Sequence, residues 1–296
     1  MSNKKLVFEG ASTALITPFS DGEIDYPSLG KIIESQINEG ISALVLLGTT
    51  GEASTISEGE RQEIISFAKS VIKKRVPLIV GTGTNNTEVT LRYSRNAYYQ
   101  GADGLLIVTP YYNKSTPKGL CDHYLSVAKA VDLPIIIYNV PSRTGVNIPI
   151  SVYSELSRVE NLVGIKEASG NIPYLAEILD TCGDLFAIYT GNDDLILPTL
   201  ALGGKGAISV VSNLMPKTVS ELCSSVSCGD IKKGRELQLY LSKLIKAMFI
   251  EVNPIPVKYA MSVLGYCQNQ LRLPLCISTK QEEILSVLRE YSLCSL

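Results

Sequence analysis

Short apolar runs and helical patterns alternate along the chain from its start to about residue 211. The runs are continuously apolar, which is typical of parallel strands that are buried on both faces. Eight such strand–helix units favour a (β/α)8 barrel. A doubly wound sheet is the structural alternative, but no GxGxxG motif follows the first run. The runs occupy residues 11–17, 43–47, 77–81, 105–108, 134–138, 162–166, 186–189 and 206–210.

After the eighth run the pattern is purely helical. We interpret this part as the last barrel helix and a small appendage, so the predicted fold is an α/β TIM barrel with a C-terminal helical region. The predicted division places the barrel in residues 1–225 and the helical region, packed on the barrel, in residues 226–296. With 296 residues, 45% of them hydrophobic, the chain can bury the core that this fold requires.

Composition argues against several classes of function. The formal net charge of −2 gives no electrostatic reason to expect a nucleic acid or an anionic membrane as partner. We expect no secretory signal, because the N-terminal residues lead into no long apolar segment, and no transmembrane helix, because no uncharged apolar run reaches ~18 residues. Seven cysteines without a CxxC pattern favour free thiols in the cytoplasm. The single histidine, His123, has no ligand cluster around it, so a zinc or non-haem iron site is not expected.

The sixth apolar run ends in Lys166. The carboxyl ends of barrel strands meet at one mouth, and the chemistry of this fold takes place there. A lysine buried at that mouth loses hydration, its pKa falls, and its neutral amine can attack a ketone to form a Schiff base. The alternative for Lys166 is an ordinary strand-end lysine that reaches solvent or pairs with Glu167.

Other polar residues follow neighbouring strands and would share this mouth. Thr49 and Thr50 lie in a glycine-rich turn whose N–H groups and hydroxyls can bind a small carboxylate, although a plain connecting turn has the same composition. Tyr138 is placed either to relay protons or only to pack. Arg143 is placed either to clamp a carboxylate or to lie at the surface. The pair Asp193–Asp194 is predicted to cap a helix N-terminus.

Seven ordered motifs extend over nearly the whole chain, at residues 48–52, 109–113, 138–145, 166–170, 191–194, 253–258 and 271–274. The set is specific although each motif alone is weak. Together the motifs resemble the dihydrodipicolinate synthase family, within the superfamily of class I aldolases that includes N-acetylneuraminate lyase. The resemblance implies a lyase that condenses pyruvate with L-aspartate 4-semialdehyde, the first committed step toward diaminopimelate and lysine.

The resemblance also implies how the catalytic groups divide their roles. Lys166 would form the Schiff base with pyruvate, and Tyr138, Thr50 and Tyr112 would relay protons. One member of the pair Tyr111 and Tyr112 would cross a tight dimer interface, and the family usually forms a homotetramer of two such dimers. No metal ion or organic cofactor is implied beyond the covalent pyruvate itself.

The same resemblance assigns residues to the substrates. Thr49 and Thr50 would hold the pyruvate carboxylate, and Arg143 would receive the carboxylate of the semialdehyde. Gly191 and Ile208 would line the pocket near the Schiff-base lysine.

Two rival functions remain open. One is a related pyruvate-dependent class I aldolase, such as N-acetylneuraminate lyase or a 2-keto-3-deoxy sugar acid aldolase. Arg143 favours the synthase over these, because it suits a short substrate with its own carboxylate. The other rival is a non-catalytic ligand sensor on the same barrel, which would be expected to have lost Lys166 or Tyr138.

The segment that follows the glycine-rich turn predicts weak or absent inhibition by L-lysine. Feedback-inhibited members of the family, in plants and many Gram-negative bacteria, carry histidine or tryptophan and a glutamate around a lysine site at the dimer interface. Residues 53–61 contain neither histidine nor tryptophan, and Val89 stands where that glutamate would align, although Glu88 is adjacent. Initial rates measured against rising lysine concentration test this prediction, and half-inhibition by sub-millimolar lysine would contradict it.

Overall fold

The barrel predicted from the sequence is present in the computed structural model, which describes residue 4 and residues 6–294. Eight parallel strands close into a barrel in the order β1-β4-β5-β6-β7-β8-β9-β10, and β2 and β3 form a small antiparallel hairpin outside it. The strands are β1 (Gly10–Ala14), β2 (Phe19–Ser20), β3 (Glu23–Ile24), β4 (Ala43–Leu46), β5 (Leu78–Gly81), β6 (Gly104–Val108), β7 (Ile135–Asn139), β8 (Leu162–Glu167), β9 (Ala187–Thr190) and β10 (Gly206–Ser209).

The helices that follow the barrel strands surround them, and the predicted C-terminal helices come after them. They are α1 (Tyr26–Asn38), α2 (Glu58–Ile72), α3 (Thr87–Tyr99), α4 (Pro117–Ala130), α5 (Pro141–Thr144), α6 (Ile150–Leu156), α7 (Ile172–Cys182), α8 (Ile196–Ala201), α9 (Pro216–Ser227), α10 (Ile231–Met248), α11 (Ile255–Val263) and α12 (Gln281–Glu290). The short helix α5 was not predicted, because four residues are too few to show a helical period.

Burial on both faces explains why the strands read as continuous apolar runs. One face of each strand packs against the surrounding helices in the main core. The other face fills the barrel interior, where Val45, Ile79, Leu106 and Ile136 belong to a separate buried cluster. Such an interior is packed with side chains and is not a pore, so space for a ligand is left only at the ends of the strands.

The register between β7 and β8 decides which side chains reach the mouth together. Tyr138 is paired with Lys166, and Asn139 is paired with Glu167. Successive side chains of a strand point to opposite faces. Tyr138 and Lys166 therefore point into the barrel, and Asn139 and Glu167 point outward.

Among the C-terminal helices, α9 contacts β1, α10 packs on α9, and α11 reaches the turn after β4 through the Lys258–Glu52 ion pair. The predicted division between residues 225 and 226 falls inside α9. The division of the chain into a barrel and a C-terminal helical region stays a prediction. Among the residues that the structure describes, no helix has the length and apolar character needed to cross a membrane.

Candidate active site

Two adjoining cavities open at the carboxyl ends of the barrel strands. The inner cavity, of about 190 Å³, brings together six residues predicted for the site: Thr49, Thr50, Tyr138, Arg143, Lys166 and Gly191. The outer cavity, of about 320 Å³, shares Thr49, Tyr138 and Arg143 with the inner one and extends to Tyr111. Residues from four different strand ends therefore surround one small space that is large enough for a short organic acid.

Lys166 is buried at the end of β8, with its Nζ 4.2 Å from the centre of the Tyr138 ring. Burial lowers the pKa of the Lys166 amine to about 7; the charge of Asp193 opposes this shift and that of Arg143 adds to it. A large fraction of the amine is therefore neutral near pH 7, which is the form that attacks a carbonyl carbon. Gly191 leaves room for this lysine, because a Cβ there would lie 2.7 Å from Lys166 Cε.

Tyr138 has the properties of a proton donor at pH 7. Burial raises the pKa of its phenol, while the charge of Arg143 and hydrogen bonding with the Thr49 side chain lower it. The neighbouring Thr50 is turned elsewhere, since its Oγ1 accepts a hydrogen bond of 3.0 Å from Asn253 Nδ2. The structure thus favours Thr49 as the hydroxyl beside Tyr138, whereas the sequence analysis had placed Thr50 in the relay.

Arg143 lies in α5, directly after β7, and its exposed guanidinium group borders both cavities. Its Nη2 donates a hydrogen bond of 2.9 Å to the backbone oxygen of Asn253. The remaining guanidinium donors are free to face a carboxylate that enters from the outer cavity.

Asn253 is a site residue that the sequence analysis named only within a motif. It lines both cavities and contacts both Thr50 and Arg143. The sequence pattern does not single it out, because it lies beyond the eighth strand and not at the end of a barrel strand. The available signal was the Asn-Pro pair that interrupts the helical pattern of this region.

Glu167 points away from the cavity and organises the strand end behind the lysine. Its Oε2 accepts a hydrogen bond of 2.8 Å from Asn139 Nδ2, and its Oε1 accepts one of 2.5 Å from the Ser169 N–H. Burial raises the pKa of its carboxyl group. Glu167 is thus engaged by amide donors and not by Lys166, so the alternative of an ordinary Lys166–Glu167 pair is not what the structure shows.

The prediction that Asp193 caps a helix was wrong. Asn192 occupies the cap position of the short 3₁₀ turn there, and no side chain caps that turn. The buried Asp193 instead accepts hydrogen bonds at Oδ2 from the N–H groups of Val210 and Val211, at 3.0 and 3.2 Å. Its carboxylate thus connects the end of β9 with the end of β10 and places a negative charge near the lysine amine.

Three other predicted positions lie outside the inner cavity wall. Ile208 is fully buried in the barrel interior with Tyr138. Tyr111 lines the outer cavity. Tyr112 is 87% exposed and has a φ of 68°, a backbone conformation that bulky residues rarely adopt. Within a single chain, Tyr112 therefore projects into solvent.

The sequence matches the profile of the dihydrodipicolinate synthetase family over residues 7–289. The chain belongs to this family. It is 50% identical to 4-hydroxy-tetrahydrodipicolinate synthase of Alkaliphilus oremlandii, over 94% of this chain and 95% of that protein.

Solved structures of the family agree with the fold. Dihydrodipicolinate synthase of Aquifex aeolicus is 44% identical and superposes with a TM-score of 0.95, over 97% of this chain and 99% of that chain. The enzyme of Cyanidioschyzon merolae, solved with lysine bound, is 34% identical and superposes with a TM-score of 0.94, over 98% of this chain and 100% of that chain.

The charge of Asp193 predicts a change in pH dependence. An anion near Lys166 favours the ammonium form, so Asp193→Asn should lower the pKa of Lys166 below about 7. The neutral amine would then persist to lower pH, and the acid limb of the pH–rate profile should move to lower pH. The rate of covalent trapping of a carbonyl substrate with borohydride, measured against pH, gives this limb directly. Asp194→Asn, at the exposed neighbour, is the matched control, and an unmoved limb in Asp193→Asn would refute the assignment.

Proposed function

We propose that this protein condenses pyruvate with L-aspartate 4-semialdehyde, the reaction of 4-hydroxy-tetrahydrodipicolinate synthase, through a Schiff base on Lys166. The observation that carries the proposal is a buried lysine amine, with a pKa of about 7, against Tyr138 in a small cavity. Membership of the dihydrodipicolinate synthetase family supports the choice of substrates.

The first half of the reaction uses Lys166 as nucleophile. Its neutral amine attacks the ketone carbon of pyruvate to give a carbinolamine, and Tyr138 protonates the departing hydroxyl group as water leaves. The resulting protonated imine withdraws electrons, so the pyruvate methyl group gives a proton to the Tyr138 phenolate and an enamine forms. The imine itself is the electron sink, so these steps require no metal ion or organic cofactor.

The second half joins the two substrates. The enamine carbon attacks the aldehyde carbon, and the new alkoxide takes a proton from Tyr138. Arg143 binds the carboxylate of the semialdehyde, which orients the aldehyde toward the enamine. The amine of the second substrate then attacks the imine carbon, closes the ring and releases Lys166.

The contacts of the two threonines divide their roles. Thr49 interacts with Tyr138 and is the hydroxyl best placed to pass protons. Thr50, held by Asn253, completes with the turn a carboxylate site for pyruvate. This division replaces the sequence-based placement of Thr50 in the relay.

Tyr112 can serve the relay only in another subunit, because its side chain projects away from its own barrel. We propose that it crosses a tight dimer interface into the partner's site, and that Tyr111 borders the site of its own chain. Assembly into a homotetramer of two such dimers belongs to the same proposal. A cytoplasmic location is also proposed, since all seven cysteines are free thiols.

A related class I aldolase remains the alternative function. It would use the same Lys166 and Tyr138, but its longer polyhydroxy substrate would need more hydroxyl and amide groups around the mouth. Arg143 at the border of both cavities favours the synthase, because its guanidinium group suits a short substrate with its own carboxylate.

A paired assay tests the function. Pyruvate with borohydride should add a pyruvyl group to Lys166, detectable by mass spectrometry, and Lys166→Ala should abolish it. Turnover should occur with pyruvate and aspartate semialdehyde and not with pyruvate and N-acetylmannosamine. Activity with the sugar alone would establish the alternative aldolase, and failure of trapping would exclude both enzymes.

Mixing two inactive variants tests the role of Tyr112. Loss of a proton-transfer group costs roughly 10²–10⁴-fold in rate, so Tyr112→Phe and Lys166→Ala should each be severely impaired. Subunits exchanged between them should recover about a quarter of wild-type activity, because half of random dimers are mixed and each then has one complete site. Recovery is measured after dissociation and reassociation of the mixture, with each variant treated alone as control. No recovery would show that Tyr112 acts within its own chain or not at all.

A further inference from the structure

The glycine-rich turn that carries Thr49 and Thr50 is held in an unusual backbone conformation. The residues that bracket it, Leu47 and Glu52, have φ angles of 56° and 53° without being glycine. Such conformations persist only where surrounding contacts determine them. Part of this support is local, since Thr17 Oγ1 donates a hydrogen bond of 2.7 Å to the Gly51 carbonyl.

The Glu52 side chain supplies the rest of the support from the C-terminal region. It forms a salt bridge with Lys258 of α11, and both side chains are 0% exposed. The other carboxylate oxygen of Glu52, Oε2, accepts a hydrogen bond of 3.1 Å from the backbone N–H of Arg272. The Lys258 ammonium also lies 3.9 Å from the centre of the Phe19 ring. A buried charge pair with this many partners has little freedom to change its geometry.

A second contact joins the turn to the C-terminal region on the cavity side. Asn253, just before α11, donates a hydrogen bond to Thr50 and accepts one from Arg143. The same two segments, the turn and the start of α11, are therefore joined twice. The hydrogen bond between Thr50 and Asn253 lies on the cavity side. The ion pair between Glu52 and Lys258 lies buried behind it.

We propose that Glu52 and Lys258 are positioning residues for the substrate-carboxylate sites. Their ion pair fixes the distance between the turn and Asn253, and so holds Thr50 and Arg143 in place relative to the reacting carbon. The proposal rests on the proposed function, because it presumes that these groups bind the two substrates.

Three variants distinguish a positioning role of the Glu52–Lys258 pair from a contribution to protein stability alone. Glu52→Gln and Lys258→Met each leave one buried charge without its partner, so both should lower the melting temperature. The double variant E52Q/K258M removes both charges with little change in volume, so it should regain most of the lost stability. If the pair positions the site, the double variant should still need roughly tenfold more pyruvate for half-maximal borohydride trapping, since small displacements weaken binding strongly. Its KM for the semialdehyde should rise as well.

Trapping at saturating pyruvate should remain complete in the double variant, because Lys166 is untouched. The matched control is K243M/E290Q, which removes the exposed Lys243–Glu290 pair from the same C-terminal region and should leave half-saturation unchanged. A stable double variant with wild-type half-saturation would overturn the proposal.

Glu52→Asp decides the matter if the double variant does not fold. It keeps both charges but shortens the carboxylate arm, so raised half-saturation supports positioning and a wild-type value refutes it. Trapping needs only pyruvate, so a wild-type protein that is not trapped at all disproves the proposed function before any variant is compared.

Discussion

The desolvation of the Lys166 amine is the constraint on which the site depends. At the end of β8 the ammonium form loses hydration, and burial alone accounts for most of the fall of its pKa to about 7. Asp193 limits this fall, and the aromatic face of Tyr138 lies against the amine. The outcome is an amine of which a large fraction is neutral near pH 7 and able to attack a ketone.

The barrel architecture supplies this environment because its interior is filled. Apolar side chains fill the barrel below the mouth, and polar groups from separate strand ends surround the inner cavity above them. The strands also fix which groups meet, since β7 and β8 place Tyr138 directly beside Lys166. Glu167, the next residue, then points outward and braces the strand end through Asn139 and Ser169.

The C-terminal helices contribute to the site as well as to the core. Asn253 contacts both Thr50 and Arg143, and the nearby Lys258 pairs with Glu52 behind the turn. A region that looks like an appendage in the sequence thus provides one wall of both cavities. The glycine-rich turn is held between the barrel and these helices.

The sequence by itself determined the eight strand–helix units, the C-terminal helices and the presence of Lys166, Tyr138 and Arg143 at one mouth. Hydrophobic periodicity and strand order are local properties, so they can be read along the chain. Only the tertiary structure decided that Thr50 is held by Asn253, that Asp193 joins two strand ends, and which tyrosine of the Tyr111–Tyr112 pair is exposed. These outcomes depend on backbone angles within turns and on contacts between segments distant in sequence, such as Glu52 with Lys258. No spacing or composition encodes those contacts, because they form only when the barrel closes and the last helices pack against it.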